Sequence, residues 1–289
     1  MSDAVRPWLG ESTPEALDAE YNLRTRHPER EAVYAGYTER SELLRSTIPV
    51  DLDVSYGPHE RSVLDLFPVS GAQAILVFFH GGYWRALDKS IFSFVAAPFV
   101  EAGYAVAIPN YPLAPETPIG GIVDQALAAV TWIGKNRDRL GAQGDAPIVV
   151  AGHSAGGHLS AICAAADWTQ RGLEPNLISG CVPISGLFEL EHLRHTNVAA
   201  QVHMTPDEAR QLSPIHRPRA GVVPTLLVVG GDETDGFVWQ SRAYQDYLAQ
   251  TGTAAELCEE LGFNHFTILE PFADPDHDLH QRVKRLLAG

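Results

Sequence analysis

An α/β fold with a mostly parallel, doubly wound sheet and helices on both faces is what this 289-residue sequence predicts. Two observations carry that prediction. From Ala74 onward, short apolar runs alternate with amphipathic segments of helix length, the order that βαβ units require. The runs themselves are apolar at nearly every position, as strands covered on both faces must be.

Taken in order, residues 12–46 are rich in Glu and Arg with helical periodicity, and Thr13-Pro14 offers a cap followed by Pro at the first helical position. This helical N-terminal segment reads either as a cover over the site or as an appendage. Val50–Ser55 and Ser62–Phe67 alternate apolar and polar residues around Gly57-Pro58, an antiparallel pair at the sheet edge. The buried strands follow: Ala74–Phe79, Tyr104–Ile108, Ile148–Ala151, Gly180–Ile184 and Thr225–Val229. Between them, Lys89–Ala102, Gly121–Leu140 and Ala155–Gly172 read as helices. Ala255–Leu261 is strand-like and precedes a C-terminal helix. With no repeat, low-complexity tract or Pro/Ser-rich linker, residues 1–289 read as a single domain.

Composition narrows the chemistry. Hydrophobic residues make up 45%, ordinary for a globular protein with a sizeable core. The balance of 21 basic against 36 acidic residues gives −15, which disfavours nucleic-acid backbones and anionic membranes as partners. A strongly anionic substrate is disfavoured too, unless a local Arg overrides the global field. The expected partner is a small-molecule substrate, with no cofactor and no metal; a homodimer is left open. Cys163, Cys181 and Cys258 show no ligand spacing, and two of them sit in apolar runs, as small buried hydrophobes do. Met1–Pro7 lacks the basic start and apolar stretch of a signal peptide, and no apolar run approaches the ~20 residues of a membrane span. A reducing cytoplasm is the expected location.

Two Gly-rich corners follow buried strands. Gly152-His153-Ser154-Ala155-Gly156 has the G-x-S-x-G form of a tight strand-to-helix turn, where small neighbours leave room for an exposed serine nucleophile. His80-Gly81-Gly82-Tyr83-Trp84 supplies a loop of backbone N–H groups. Gly82 and Tyr83 are the expected oxyanion donors together with Ala155, while Gly81 gives the turn its freedom. Gly81 and Trp84 are also the substrate-side candidates of this loop.

An acid and a base should come next in chain order. Asp232, just past the strand Thr225–Val229, is the expected acid, with Asp235 as its rival in Gly230-Gly231-Asp232-Glu233-Thr234-Asp235. His265, between Ala255–Leu261 and the last helix, is the expected base among 12 histidines. His192/His195 and His277/His280 have helical spacing but no completing carboxylates, so solvated helix faces are expected there. His80 reads as a brace for its own loop; His153 and His158 flank the serine without an evident task.

The pair of motifs resembles the α/β-hydrolase superfamily. More narrowly, His80-Gly81-Gly82-Tyr83-Trp84 is similar to the H-G-G-x-W signature of the serine-hydrolase-type kynurenine formamidases. Gly152–Leu159, Ala166–Thr169 with Pro175–Leu177, Ser185–Phe188 and Asn264–Phe266 extend the resemblance over most of residues 74–267. It implies the α/β-hydrolase fold, a triad of Ser154, Asp232 and His265, and hydrolysis of N-formylkynurenine to formate and the free amine, with a carboxylesterase acting on small acyl esters as the alternative. Tyr83 and Trp84 would then offer a surface to the aromatic leaving group. Arg85, directly after the signature, departs from the family pattern, as does Gly157 at the start of the helix.

Overall fold

The computed structural model describes residues 13–289. Met1–Pro7 and the first residue of the expected 12–46 segment lie outside the described residues. One eight-stranded sheet runs β1 (Asp51–Ser55), β2 (Val63–Phe67), β4 (Ala105–Pro109), β3 (Ile75–Phe79), β5 (Ile148–His153), β6 (Ile178–Ile184), β7 (Thr225–Gly230) and β8 (Ala255–Glu260). β1 and β2 pair antiparallel with each other, and β2 pairs antiparallel with β4. All other pairings are parallel.

The continuous apolar runs explain why the middle of the sheet forms. Every residue of β3, β4, β5 and β7 is buried. Alternate side chains on a strand point to opposite faces. In β3, Ile75, Val77 and Phe79 therefore pack into one core, whereas Leu76 and Phe78 pack into the other. β8, at the far edge, is the least covered of the parallel strands: only Cys258 is buried, and Glu256 and Glu259 are exposed, one on each face.

Helices complete the two layers. Ile119–Lys135 and Ala155–Ala165 run as α-helices where periodicity predicted them, and each ends in a separate 3-10 turn, at Arg137–Leu140 and Trp168–Arg171. The expected helix Lys89–Ala102 is instead two 3-10 turns, Lys89–Ile91 and Ser93–Ala96, followed by the short helix Ala97–Glu101. Pro98 fits the start of that short helix: it lacks an N–H, so it suits the first turn, and it stands at the second position of Ala97–Glu101.

The N-terminal segment forms helices at Pro14–Tyr21, Leu23–Arg26 and Arg30–Thr47. Tyr21 and Tyr37 anchor it, both almost fully buried. Tyr37 Oη donates to the Phe266 carbonyl at 2.9 Å, and the Glu20 carboxylate accepts from the Gly236 N–H at 2.8 Å. Among the described residues, no helix is long and apolar enough to cross a membrane.

Candidate active site

Four loops converge at the carboxyl ends of β3, β5, β7 and β8, the edge where doubly wound sheets place their ligands. Each is shaped by a local constraint that the sequence encodes.

Ser154 ends β5 and starts the helix Ala155–Ala165 with φ 57° and ψ −117°, a strained conformation for a residue bearing a side chain. Its N–H donates to the Ile184 carbonyl at 2.8 Å, which ties the turn to β6. The glycines on either side are required by close approach. A Cβ at Gly156 would fall on the Phe79 carbonyl, and one at Gly152 would fall on the Gly156 carbonyl.

The loop after β3 is equally strained: Gly82, Tyr83 and Trp84 all have positive φ, at 112°, 50° and 56°. A Cβ at Gly82 would overlap the Ala86 carbonyl. Gly82, Tyr83 and Ala155 find no acceptor for their backbone N–H groups among the described residues. Gly82, Tyr83 and Ser154 line one pocket of about 290 Å³. Unpaired donors beside a serine are the arrangement that stabilises an oxyanion.

His80 braces this loop, as its position suggested. It is fully buried, with Nε2 3.0 Å from Asn110 Oδ1 and its ring stacked on Tyr111 at 4.4 Å. Burial pulls its pKa down to about 4.

His265 lies in the loop after β8. An Asn264 side chain that accepts from the Phe266 and Thr267 N–H groups sets its turn. The ring is buried between Phe237 and His153, with centroids at 4.4 and 4.6 Å. Its Nδ1–H donates to Glu233 Oε2 at 2.7 Å, which leaves Nε2 as the free nitrogen of a neutral ring.

The carboxylate at His265 is therefore Glu233, not Asp232. Glu233 is buried, and its other oxygen accepts from the Gly230 N–H at 2.8 Å and Ser185 Oγ at 2.5 Å. Asp232 is exposed, and its backbone does the connecting: its N–H donates to the Phe263 carbonyl at 3.1 Å. That bond stitches the loop after β7 to the histidine loop while turning the Asp232 side chain outward. Asp235, the rival, is exposed at the first position of the helix Asp235–Gln250.

Other expectations need correction. Trp84 is fully buried and does not line the pocket; its indole N–H donates to His158 Nδ1 at 3.2 Å. His158 Nε2 lies 2.8 Å from the Leu212 carbonyl, so the unassigned histidine links the loop after β3 to the helix Pro206–Leu212. Gly81 also stays out of the pocket lining and sits against His153 and Ser154, where a Cβ would be crowded at 3.0–3.1 Å. His192 and His280 are buried rather than solvated: His192 Nδ1 is 3.1 Å from Tyr21 Oη, and His280 Nδ1 is 3.0 Å from the Phe272 carbonyl. His153 Nε2 reaches the His265 carbonyl at 2.8 Å, a contact between the serine turn and the histidine loop.

The rest of the pocket comes from the N-terminal segment, which the sequence left open as a cover over the site, and from a second region whose role it did not announce. Tyr21, Arg24 and Tyr34 arrive from the N-terminal helices, and Asn197, Val198 and Gln201 from the short helix Asn197–Val202. Tyr83 Oη donates to the Tyr21 carbonyl at 2.6 Å and so joins the N-terminal segment to the loop after β3. A signal for part of the 197–212 region was present: Thr205-Pro206-Asp207-Glu208 forms a capping box, with Glu208 N–H donating to Thr205 Oγ1 at 3.2 Å and Thr205 N–H to Glu208 Oε2 at 3.0 Å.

This serine turn, the paired histidine and carboxylate, and the free N–H groups agree with the comparison to known proteins. Residues 76–269 match the model of the alpha/beta hydrolase fold family, and the chain belongs to that family. Within it, the similarity to kynurenine formamidases runs along most of both chains: the Danio rerio protein of that name is 29% identical over 259 residues, 86% of this chain and 85% of its own. A solved structure from Silicibacter sp. TM1040, provisionally described as a thioesterase, superposes with a TM-score of 0.81 at 33% identity, covering 93% of this chain and 98% of the other. Carboxylesterase NlhH of Mycobacterium tuberculosis is 38% identical, over 92 residues that make up 31% of this chain and 28% of its own.

Proposed function

We propose that this protein is a serine hydrolase that cleaves N-formyl arylamines, N-formylkynurenine foremost, to formate and the free amine. The observation that carries the reading is Ser154 on its strained turn, sharing one pocket with a His265 that Glu233 holds. The similarity to kynurenine formamidases along most of the chain supports the choice of substrate.

His265 Nε2 takes the Ser154 proton as Oγ attacks the formyl carbon. Glu233 fixes the tautomer that leaves Nε2 free and stabilises the imidazolium that forms. Negative charge on the carbonyl oxygen is met by the unpaired N–H groups of Gly82, Tyr83 and Ala155. The imidazolium then protonates the departing arylamine, and water, deprotonated by the same histidine, releases formate. A formyl group needs almost no acyl pocket, whereas the amine needs a flat apolar one. Tyr34, Tyr83 and Phe266 line the pocket and supply that surface.

On this reading the N-terminal helices cover part of the pocket mouth, and residues 13–289 act as one unit. The three cysteines, free and buried, suit a reducing cytoplasm.

A carboxylesterase would use the same residues, and the local similarity to NlhH favours that second reading. Steady-state rates on N-formylkynurenine and p-nitrophenyl acetate separate the two. The formamidase reading expects the larger kcat/KM on N-formylkynurenine; a formamide rate negligible beside the ester rate selects the esterase.

A further inference from the structure

The pocket contains cations that no anion answers among the described residues. Arg24, on the helix Leu23–Arg26, and Arg85, in the loop after β3, both line it. Neither guanidinium forms an ion pair among the described residues, whereas Arg30 beside them pairs with Glu31 at 2.7 Å. Arg85 Nε is buried without a hydrogen-bond partner among the described residues. A buried donor left unpaired is costly, and two guanidinium groups facing one cavity repel each other unless an anion lies between them.

The carboxylates that line the same cavity are engaged elsewhere. Asp18 accepts from the Asn197 N–H at 2.8 Å and Asn197 Nδ2 at 3.0 Å, and Glu31 is held by Arg30. Burial first, and the charge of Arg24 second, hold the Arg85 pKa below its ordinary value.

We infer that Arg85, together with Arg24, forms a carboxylate-binding subsite that selects substrates whose leaving group carries an anionic side chain. The planar fork of Arg85 suits bidentate contact with a carboxylate. It sits two residues after Tyr83, so the anion would be held beside the aromatic surface and away from the formyl carbon. The overall charge of −15 gives an anion no long-range attraction, which leaves recognition to this local pair. The inference rests on the hydrolase reading above, but not on the formamide being the scissile group.

Two substrate pairs test it: N-formylkynurenine against formanilide, and the ortho, meta and para acetoxyphenylpropanoates against phenyl acetate. The quantity read is the ratio of kcat/KM for the carboxylated substrate to that for its neutral partner. In Arg85→Gln this ratio should fall about 10-fold or more, mainly through KM, with partial retention in Arg85→Lys and a smaller fall in Arg24→Gln. An unchanged ratio in Arg85→Gln overturns the subsite, and so does a uniform loss of rate on charged and neutral substrates alike. A ratio that changes for the esters while both formamides stay inert leaves the subsite standing and removes the formamidase reading instead.

Discussion

Glu233 and Asp232 are neighbours, yet the turn after β7 sends one side chain inward and the other to solvent. β7 ends at Gly230, the Gly231 and Asp232 N–H groups pair with the carbonyls of Glu260 and Phe263, and the next side chain is the one aimed at His265. Nothing in Gly-Gly-Asp-Glu-Thr-Asp reveals which carboxylate faces in, because that depends on hydrogen bonds to a loop thirty positions downstream. Ser154 and His265 were readable because their motifs fix their own backbone. Glu233→Gln should lower kcat on N-formylkynurenine by roughly 10²–10⁴-fold, since a neutral amide no longer enforces the tautomer. Asp232→Asn should change it less than about threefold, as an exposed side chain whose backbone contact is kept. Steady-state kinetics of both variants decides between them, and the reverse ranking would return the acid to Asp232.

At the level of elements, strands were the most legible part of the chain. Buried parallel strands are written as unbroken apolar runs, and the edge pair β1–β2 as alternation, so both patterns point to their places directly. Helices were less so where a proline or a tight turn interrupts them, as between Lys89 and Glu101. The aromatic pair in the loop after β3 also divides in a way that sequence does not show: Tyr83 faces the pocket while Trp84 turns into the core and bonds to His158. Trp84→Phe removes that indole donor and should lower Tm by about 2–4 °C, the equivalent of roughly 1 kcal/mol in a chain of this size. KM for the aryl formamide should stay within about twofold, and thermal unfolding together with a Michaelis plot would show both. A large rise in KM with unchanged Tm would put Trp84 back among the substrate contacts.

The whole molecule carries several histidines in its interior, and they set its response to acid. Burial holds His80, His158 and His192 near about 4, and His153 well below its ordinary value of 6.5. The unfolded chain therefore binds protons that the folded chain refuses. Their stabilising contribution is complete above pH 6.5 and is lost as pH falls through 6.5 toward 4, in the direction linkage requires. Tm should accordingly drop between pH 7 and pH 5 when unfolding is followed by circular dichroism, and a flat profile across that interval would contradict it.

The same interior histidines tie the loops around the pocket together: His80 and His158 brace the loop after β3, and His153 joins the serine turn to the histidine loop. All of this converges on one serine. The most direct measurement is formate release from N-formylkynurenine by the unaltered protein and by Ser154→Ala. Equimolar formate and arylamine from the first, with a loss on the order of 10⁵-fold or more in the second, is the predicted result. Comparable release by both proteins, or none by the unaltered one, would contradict it.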